Sequence, residues 1–310
     1  MKLVEFIESY PDEQSCRDAF RDYRLKVGVK CRKCGHDKHY WMKSLEQFQC
    51  KECRTRTTLR SGTVMEDSNL PFRTWLLVIH LMSATRKGFS AKEIQRQVGH
   101  KRYEPIWYMM QKIRVAMGVR DERYVLKGAT EMDEGFFPTV DTQTPGKRQT
   151  PLKRGRGSQN QTPVMVMAES KKSQDPKKGR PLYSCRYFKM HAMTDLSSSQ
   201  VLQIARENLD PDCQVRTDNY SSYSKLNQVV KKHTAKTIKP KQAGKELPWV
   251  HISISNAKRN LLDKFHRIGD YYLQNYLDEF TYKLNRRFMF ERLFEHLLIA
   301  CVTFSWYALV

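Results

Sequence analysis

Four cysteines in two closely spaced pairs constrain the fold of this chain more than any other feature. Two residues separate Cys31 from Cys34 and Cys50 from Cys53, and fifteen residues lie between the pairs. Such pairs can place four thiolates in a tetrahedron, the geometry of a closed structural Zn²⁺ site. Protein atoms would then fill every ligand position, so the motif predicts a zinc ribbon over residues 29–62 and does not by itself indicate catalysis.

Basic residues far outnumber acidic ones. The chain has 55 Lys and Arg against 33 Asp and Glu, a formal net charge of +22. This excess favours a polyanionic partner, because each cation that neutralises a phosphate releases a condensed counterion. A merely soluble basic protein is the alternative. No apolar run reaches the roughly 18 residues that span a bilayer, and acids interrupt the N-terminal apolar run, unlike in a signal peptide. We expect a cytoplasmic, nucleoid-associated protein of a prokaryote, or a nuclear one in a eukaryote, without a membrane partner.

Helical patterns flank the predicted ribbon. Apolar residues at helical spacing predict N-terminal helices over residues 1–28. In the segment 70–120, Ser90 and Glu93 form a capping signature at a helix start, and Gly99 then separates this helix from the next. Helix, tight glycine turn and helix have the spacing of a helix-turn-helix, whose second helix would lie in a DNA major groove. An ordinary helical hairpin is the alternative.

From residue 125 onward the pattern is that of strands. Short apolar runs predict five strands with one helix before the fourth, which indicates a mixed α/β core. The predicted strands span about 130–137, 163–168, 182–192, 213–217 and 234–238, and the helix spans about 198–208. Basic loops are predicted at 141–181. Further helices are predicted at about 254–268 and 270–287, with a closing C-terminal helix at 291–310.

Two aspartates occupy strand positions that are costly for stability unless they bind something. Asp133 lies in an apolar-flanked strand, and Asp218 ends another. Mg²⁺ prefers carboxylate oxygens, and two such ions can activate a nucleophile and stabilise a leaving oxygen in phosphoryl transfer. For either residue alone, a strand-edge cap or a salt bridge is the simpler interpretation. By strand alternation Glu131 shares the face of Asp133 and Glu134 does not, so Glu131 is a weak further candidate. For His251 a strand-end hydrogen bond is the favoured role, and an approach to the metal site is the alternative.

The order of these motifs resembles that of a known family. The chain resembles the insertion-sequence transposases of family 1595, also called ISXO-two-like. The resemblance rests on five motifs in this order: the ribbon, the helix-turn-helix, the strand of Asp133, the strand end at Asp218 and the segment His251–Arg259. The segment Tyr276–Arg287 is similar to the family's closing helix. Each motif is short, but their order and spacing are specific.

This resemblance implies a ribonuclease H-like catalytic domain over residues 125–290 and a metal-dependent enzyme that cuts DNA and transfers strands. The implied catalytic ligands are Asp133, Asp218 and Asn256, which would hold two Mg²⁺ or Mn²⁺ ions. Most enzymes of this class carry Glu at the third position, whereas Asn offers only a neutral carbonyl oxygen. A subgroup of the resembled family carries Asn there with a following lysine, and the nearby acids Asp263, Glu246 and Asp270 are candidates to compensate for the charge. The accompanying lysine is Lys258 or Lys264, and the family's spacing favours Lys264.

The implied partner is double-stranded DNA, as element ends and as target, bound by a homodimer or a larger assembly. The residues expected to contact DNA are Lys101, Arg102, Lys147, Arg148, Lys153, Arg154, Arg156, Lys258, Arg259, Arg286 and Arg287. Two other functions stay open. Asn256 favours an inactive, transposase-derived DNA-binding regulator, and a different nuclease of the same fold, such as a junction resolvase, is the third possibility.

Overall fold

The computed structural model describes residues 1–140, 160–172, 183–237 and 243–304. The chain forms two compact units. The first combines residues 1–120 with residues 286–310, and the second comprises residues 121–285. In the described residues, no helix is both long enough and apolar enough to cross a membrane.

The first unit begins with two helices, α1 (Leu3–Ser9) and α2 (Glu13–Val27). Asp12 starts α2 by accepting a hydrogen bond from the Ser15 amide at 2.7 Å, which satisfies one of the free donors at a helix N-terminus. The guanidinium of Arg24, buried at the other end of α2, donates to the carbonyls of Thr58 and Leu59. These bonds fasten α2 to the cysteine segment.

The cysteine segment is a three-stranded antiparallel sheet in the order β1-β2-β3. Its strands are β1 (His39–Met42), β2 (Gln47–Cys50) and β3 (Arg56–Thr58). Phe48 is fully buried, with Trp41 and Arg24 against its ring. With so small an apolar core, the segment depends on its cysteines and on α2 for stability.

Four further α-helices belong to the described part of the first unit. They are α3 (Phe72–Ala84), α4 (Ala91–Val98), α5 (Glu104–Glu122), whose last residues enter the second unit, and α10 (Leu293–Thr303), which packs against α2 and α3. Ser90 accepts a hydrogen bond from the Glu93 amide at 3.2 Å, as its position predicts. Gly99 ends α4 with a φ of 67°, a left-handed conformation that glycine adopts without strain.

The second unit contains a five-stranded sheet in the order β6-β5-β4-β7-β8. Its strands are β4 (Ala129–Pro138), β5 (Gln161–Lys172), β6 (Tyr183–Ala192), β7 (Gln214–Asp218) and β8 (Lys232–Lys236). The first three pair antiparallel, and β7 and β8 continue the sheet in parallel with β4. This is the mixed sheet of a ribonuclease H-like core, so the predicted fold class is confirmed.

Helices cover both faces of this sheet. The predicted helix α6 (Ser198–Asn208) packs on one face, and α8 (Pro248–Leu262), preceded by the short α7 (Ala243–Glu246), packs on the other. The helix α9 (Leu273–Asn285) lies along the edge strand β6. There the side-chain amide of Asn285 exchanges two hydrogen bonds with the backbone of Phe188, which satisfies groups that an open edge would leave unpaired.

The sequence places the start of α8 six residues too late. The helix begins at Pro248, a residue suited to a first helical turn because it needs no amide partner. Its next two free amides, those of Trp249 and Val250, donate to the carboxylate of Glu131 on β4 at 2.8 and 3.2 Å. The cap therefore comes from a distant strand, and His251, expected at a strand end, lies inside the helix.

Candidate functional site

The four predicted zinc ligands converge in the first unit. One sulfur from each of Cys31, Cys34, Cys50 and Cys53 lies within 4.8 Å of the others. Hydrogen bonds of the Thr55 hydroxyl and amide lower the pKa of Cys53 to about 6, which favours the thiolate form that binds metal. Four soft sulfur donors in one cluster are the donor set of a structural zinc site, so these residues fit the ion.

A second group of possible metal ligands lies in the second unit. Carboxylate oxygens of Asp133, Glu134 and Asp218 lie within 4.8 Å of one another. Residues of β4 and β7 pair from Ala129 to Glu131 and no further, so all three acids lie beyond the last pair, at the carboxyl end of the parallel strands. Oxygen donors in such a crevice fit Mg²⁺ or Mn²⁺.

The carboxylate of Asp133 is strongly perturbed. Burial raises its pKa from 3.8 to about 7, and the neighbouring acids Glu134 and Asp218 contribute to this rise. The imidazole Nε2 of His251 on α8 lies 3.5 Å from its Oδ2. Burial lowers the pKa of this histidine, so the neutral imidazole is favoured beside the acids.

A glycine permits this close approach of helix to strand. A Cβ atom at Gly135 would lie 3.2 Å from two side-chain carbons of Ile254 and from the ring of Phe137. That spacing is tighter than ordinary van der Waals contact. The bare backbone of Gly135 thus lets α8 lie directly on β4 and brings His251 to Asp133.

Glu134 is the member of the cluster that sequence reasoning excluded. Strand alternation places its side chain on the face opposite to Asp133, yet a carboxylate oxygen of Glu134 lies within 4.8 Å of those of Asp133 and Asp218. The hydroxyl of Tyr223 donates a hydrogen bond to it. The two adjacent acids Asp133 and Glu134 within the predicted strand are the signal that could have included it.

Glu131, the weak further candidate, lies away from the cluster. Its carboxylate is fully buried, accepts the two amides that begin α8, and forms an ion pair with Arg216 at 2.9 Å. Burial raises its pKa. Glu131 therefore acts as a tertiary helix cap.

The remaining predicted catalytic residues lie on or just after α8. Asn256 is exposed, five residues after His251. Lys258, seven residues after His251 and so on the same helix face, places its Nζ 5.7 Å from the centre of the Phe137 ring on β4. Lys264 lies beyond the helix end and donates to Asn260 at 2.9 Å. Lys258 thus lies beside the strand of Asp133.

The residues expected to contact DNA are distributed over both units. Lys101 and Arg102 are exposed immediately before α5, whose own first turns expose Tyr108. Arg259 is exposed, and Arg286 and Arg287 are half-buried. The expected contacts Lys147, Arg148, Lys153, Arg154 and Arg156 lie outside the described residues, as do much of the basic segment 141–181 and residues 305–310.

Comparison with known proteins identifies both parts of the chain. The family model of the ISXO2-like transposase domain matches residues 125–285, and that of the transposase zinc-ribbon domain matches residues 11–56. An "Uncharacterized protein in transposable element ISH50" of Halobacterium salinarum is 24% identical over 172 residues. This match covers 53% of the chain and 57% of the relative, so the chain spans less than two thirds of the relative's length.

Proposed function

The chain belongs to the family of ISXO2-like transposases, and from this premise we propose that it cuts DNA at the ends of an insertion element and joins those ends to target DNA. One observation carries the proposal. Asp133 and Asp218, the two acids expected on the first and fourth strands of the core, bring carboxylate oxygens within 4.8 Å at the carboxyl end of the sheet. Open α/β sheets bind their ligands in this crevice.

The proposed reaction has two displacements at phosphorus. In the first, a water oxygen bonds to the phosphorus at the element end, the P–O3′ bond breaks, and the element strand keeps a free 3′-hydroxyl. In the second, this hydroxyl attacks a target phosphodiester, a new P–O3′ bond forms, and a target 3′-oxygen leaves with a proton. Two Mg²⁺ or Mn²⁺ ions, when bound, would activate the attacking oxygen and stabilise the leaving one.

The protein's own side chains supply the binding and the positioning. Asp133 and Asp218 would hold the ions, with Asn256 from α8 as the implied third ligand. His251 restricts the carboxylate of Asp133 through their 3.5 Å approach. Lys258 would neutralise a phosphate of the bound strand from the same helix face.

Recognition of the ends is assigned to the first unit. The zinc ribbon and the segment from α4 to α5 would bind the terminal repeats, with Lys101, Arg102 and the first turn of α5 against DNA. Residues at the N-terminus of a recognition helix are those that commonly reach base edges. Because transposition joins two ends, we expect a dimer or a larger assembly on DNA.

Asn256 supports a second candidate function, that of a DNA-binding regulator without cleavage. A neutral amide at the third position weakens the field that holds two divalent cations. In this function the chain would bind element ends and block access to them.

The deciding experiment is a cleavage and strand-transfer assay with purified full-length protein and DNA that carries the ends flanking its own gene. We expect cutting and joining that require Mg²⁺ or Mn²⁺. The variant Asp133→Asn should lose at least about 10³-fold in cleavage rate, on the scale of removing one charge-stabilising catalytic group, and should still bind the ends. Specific binding without cutting by the wild-type protein in either metal would instead establish the regulator.

A further inference from the structure

The donor set of the catalytic site is short of charge if it consists of Asp133, Asp218 and Asn256 alone. Two divalent cations bring four positive charges, and two carboxylates offset only half of them. Divalent ion affinity depends on the number of charged ligands. The exposed amide of Asn256 adds an oxygen but no charge.

Glu134 supplies the missing charge at the right place. Its carboxylate lies within 4.8 Å of those of Asp133 and Asp218, beyond the last paired residues of β4 and β7. The cluster therefore has three carboxylates, two from β4 and one from the end of β7. Helix α8 contributes His251 at 3.5 Å from Asp133 and no carboxylate.

The position of Glu134 is set by a buried tyrosine. Tyr223 is 1% exposed, its hydroxyl donates to the Oε2 of Glu134, and its oxygen lies 3.8 Å from the sulfur of Met165. Tyr223 lies in the short turn that follows β7, five residues after Asp218. The ring is part of the core that α6 covers, so its hydroxyl donates to the Glu134 carboxylate from a fixed position.

We propose that Glu134 is the third charged ligand of the catalytic metal site, in place of the glutamate that Asn256 replaces, and that Tyr223 is the residue that positions it. The assignment rests on the proposed function, since it concerns the same ions. It gives the site three carboxylates from two adjacent strands, where most enzymes of this class take the third from a helix.

The test measures Mn²⁺ binding by electron paramagnetic resonance with full-length, zinc-loaded protein. Glu134→Gln keeps the shape and removes the charge, and Tyr223→Phe keeps the ring and removes the hydroxyl. Glu207→Gln, the same change at an exposed position of α6, is the matched control. We expect Mn²⁺ affinity to fall roughly 10- to 100-fold for Tyr223→Phe, the range for groups that orient metal ligands, and at least as much for Glu134→Gln.

The outcomes separate the assignment from the function beneath it. Wild-type Mn²⁺ affinity in a Glu134→Gln variant that melts normally overturns the assignment; if that variant does not fold, unchanged affinity in Tyr223→Phe overturns it. If Asp133→Asn binds Mn²⁺ as tightly as the wild type, the proposed function fails and the assignment fails with it. Weakened binding in both variants beside an unchanged Glu207→Gln supports the assignment. The Mn²⁺ concentration for half-maximal cleavage should then rise in Tyr223→Phe.

Discussion

At the scale of single residues, the site shows carboxylates held together against their own repulsion. Asp133 lies beside two other acids, which together with burial raise its pKa to about 7. Such an arrangement costs stability in the metal-free protein and is relieved when a cation binds. The three neighbouring acids and the raised pKa of Asp133 fit a cation-binding role, whereas the carboxylate of Glu131 is satisfied directly by Arg216.

This arrangement predicts a pH dependence of metal binding. The pKa of Asp133 is 3.8 in the unfolded chain and about 7 in the folded protein, so the folded state binds the carboxyl proton more tightly. The metal-free protein therefore loses stability as the pH rises from about 3.8 to about 7. Mg²⁺ requires the ionised carboxylate. We expect Mg²⁺ to raise the melting temperature little at about pH 5.5 and clearly at about pH 8. Thermal melts with and without Mg²⁺ measure this, and Asp133→Asn should show no such difference. An equal Mg²⁺ effect at both pH values in the wild type would contradict it.

At the scale of elements, local sequence signals predicted the strands of the site and the helix α6, but they did not predict a helix start that is capped by a distant residue. The strands of Asp133 and Asp218 and the helix α6 follow from apolar runs and turn residues, which act within a few positions. The start of α8 does not, because its cap is Glu131, more than a hundred residues earlier in the chain. Likewise Glu13 of α2 accepts the first amides of α3, those of Phe72 and Arg73, at 2.9 Å.

The candidate site likewise contains residues that the sequence predicted and one that it did not. Asp133 and Asp218 were identifiable because a charged residue in an apolar strand is conspicuous. Glu134 was excluded because strand alternation places its side chain on the face opposite to Asp133. Alternation does not show how far a long side chain reaches, and the hydroxyl that holds this carboxylate belongs to Tyr223, 89 residues later in the chain.

The zinc ribbon is an element whose fold depends on its metal. Replacing Cys50 and Cys53 with Ser removes two of the four ligands, so we expect zinc loss, unfolding of residues 29–60 and loss of binding to element ends. Zinc content, circular dichroism and an end-binding assay measure the three effects. The control is Cys16→Ser together with Cys301→Ser, two buried cysteines outside the ribbon, which should retain zinc. End binding that survives complete zinc loss would show that the ribbon does not recognise DNA.

At the scale of the whole molecule, the net charge of +22 should govern DNA affinity. The logarithm of the binding constant falls with the logarithm of salt concentration by about 0.9 for each phosphate neutralised. We expect Lys101→Ala together with Arg102→Ala to reduce this slope by about two, roughly one for each phosphate that the protein no longer neutralises. Titrations at several salt concentrations measure it.

The matched control for that pair changes the same charge elsewhere. Lys225 and Lys231 are exposed in the second unit, and their replacement with Ala lowers the net charge equally. If both double variants changed the slope equally, the salt dependence of DNA binding would be set by the total charge and not by the two basic residues before α5.

The second unit lies in sequence between the two segments of the first unit, and this order has a consequence for folding during translation. The first unit needs residues 286–310 as well as residues 1–120, and α10 covers α2 and α3 while the carbonyl of Cys301 accepts the amide of Val64. Chains fold from the N-terminus as they are translated, so the whole second unit emerges before α10 does. We expect the nascent polypeptide to form the five-stranded sheet before the first unit is complete, so that the proposed binding of an element end by the first unit requires the synthesis of α10.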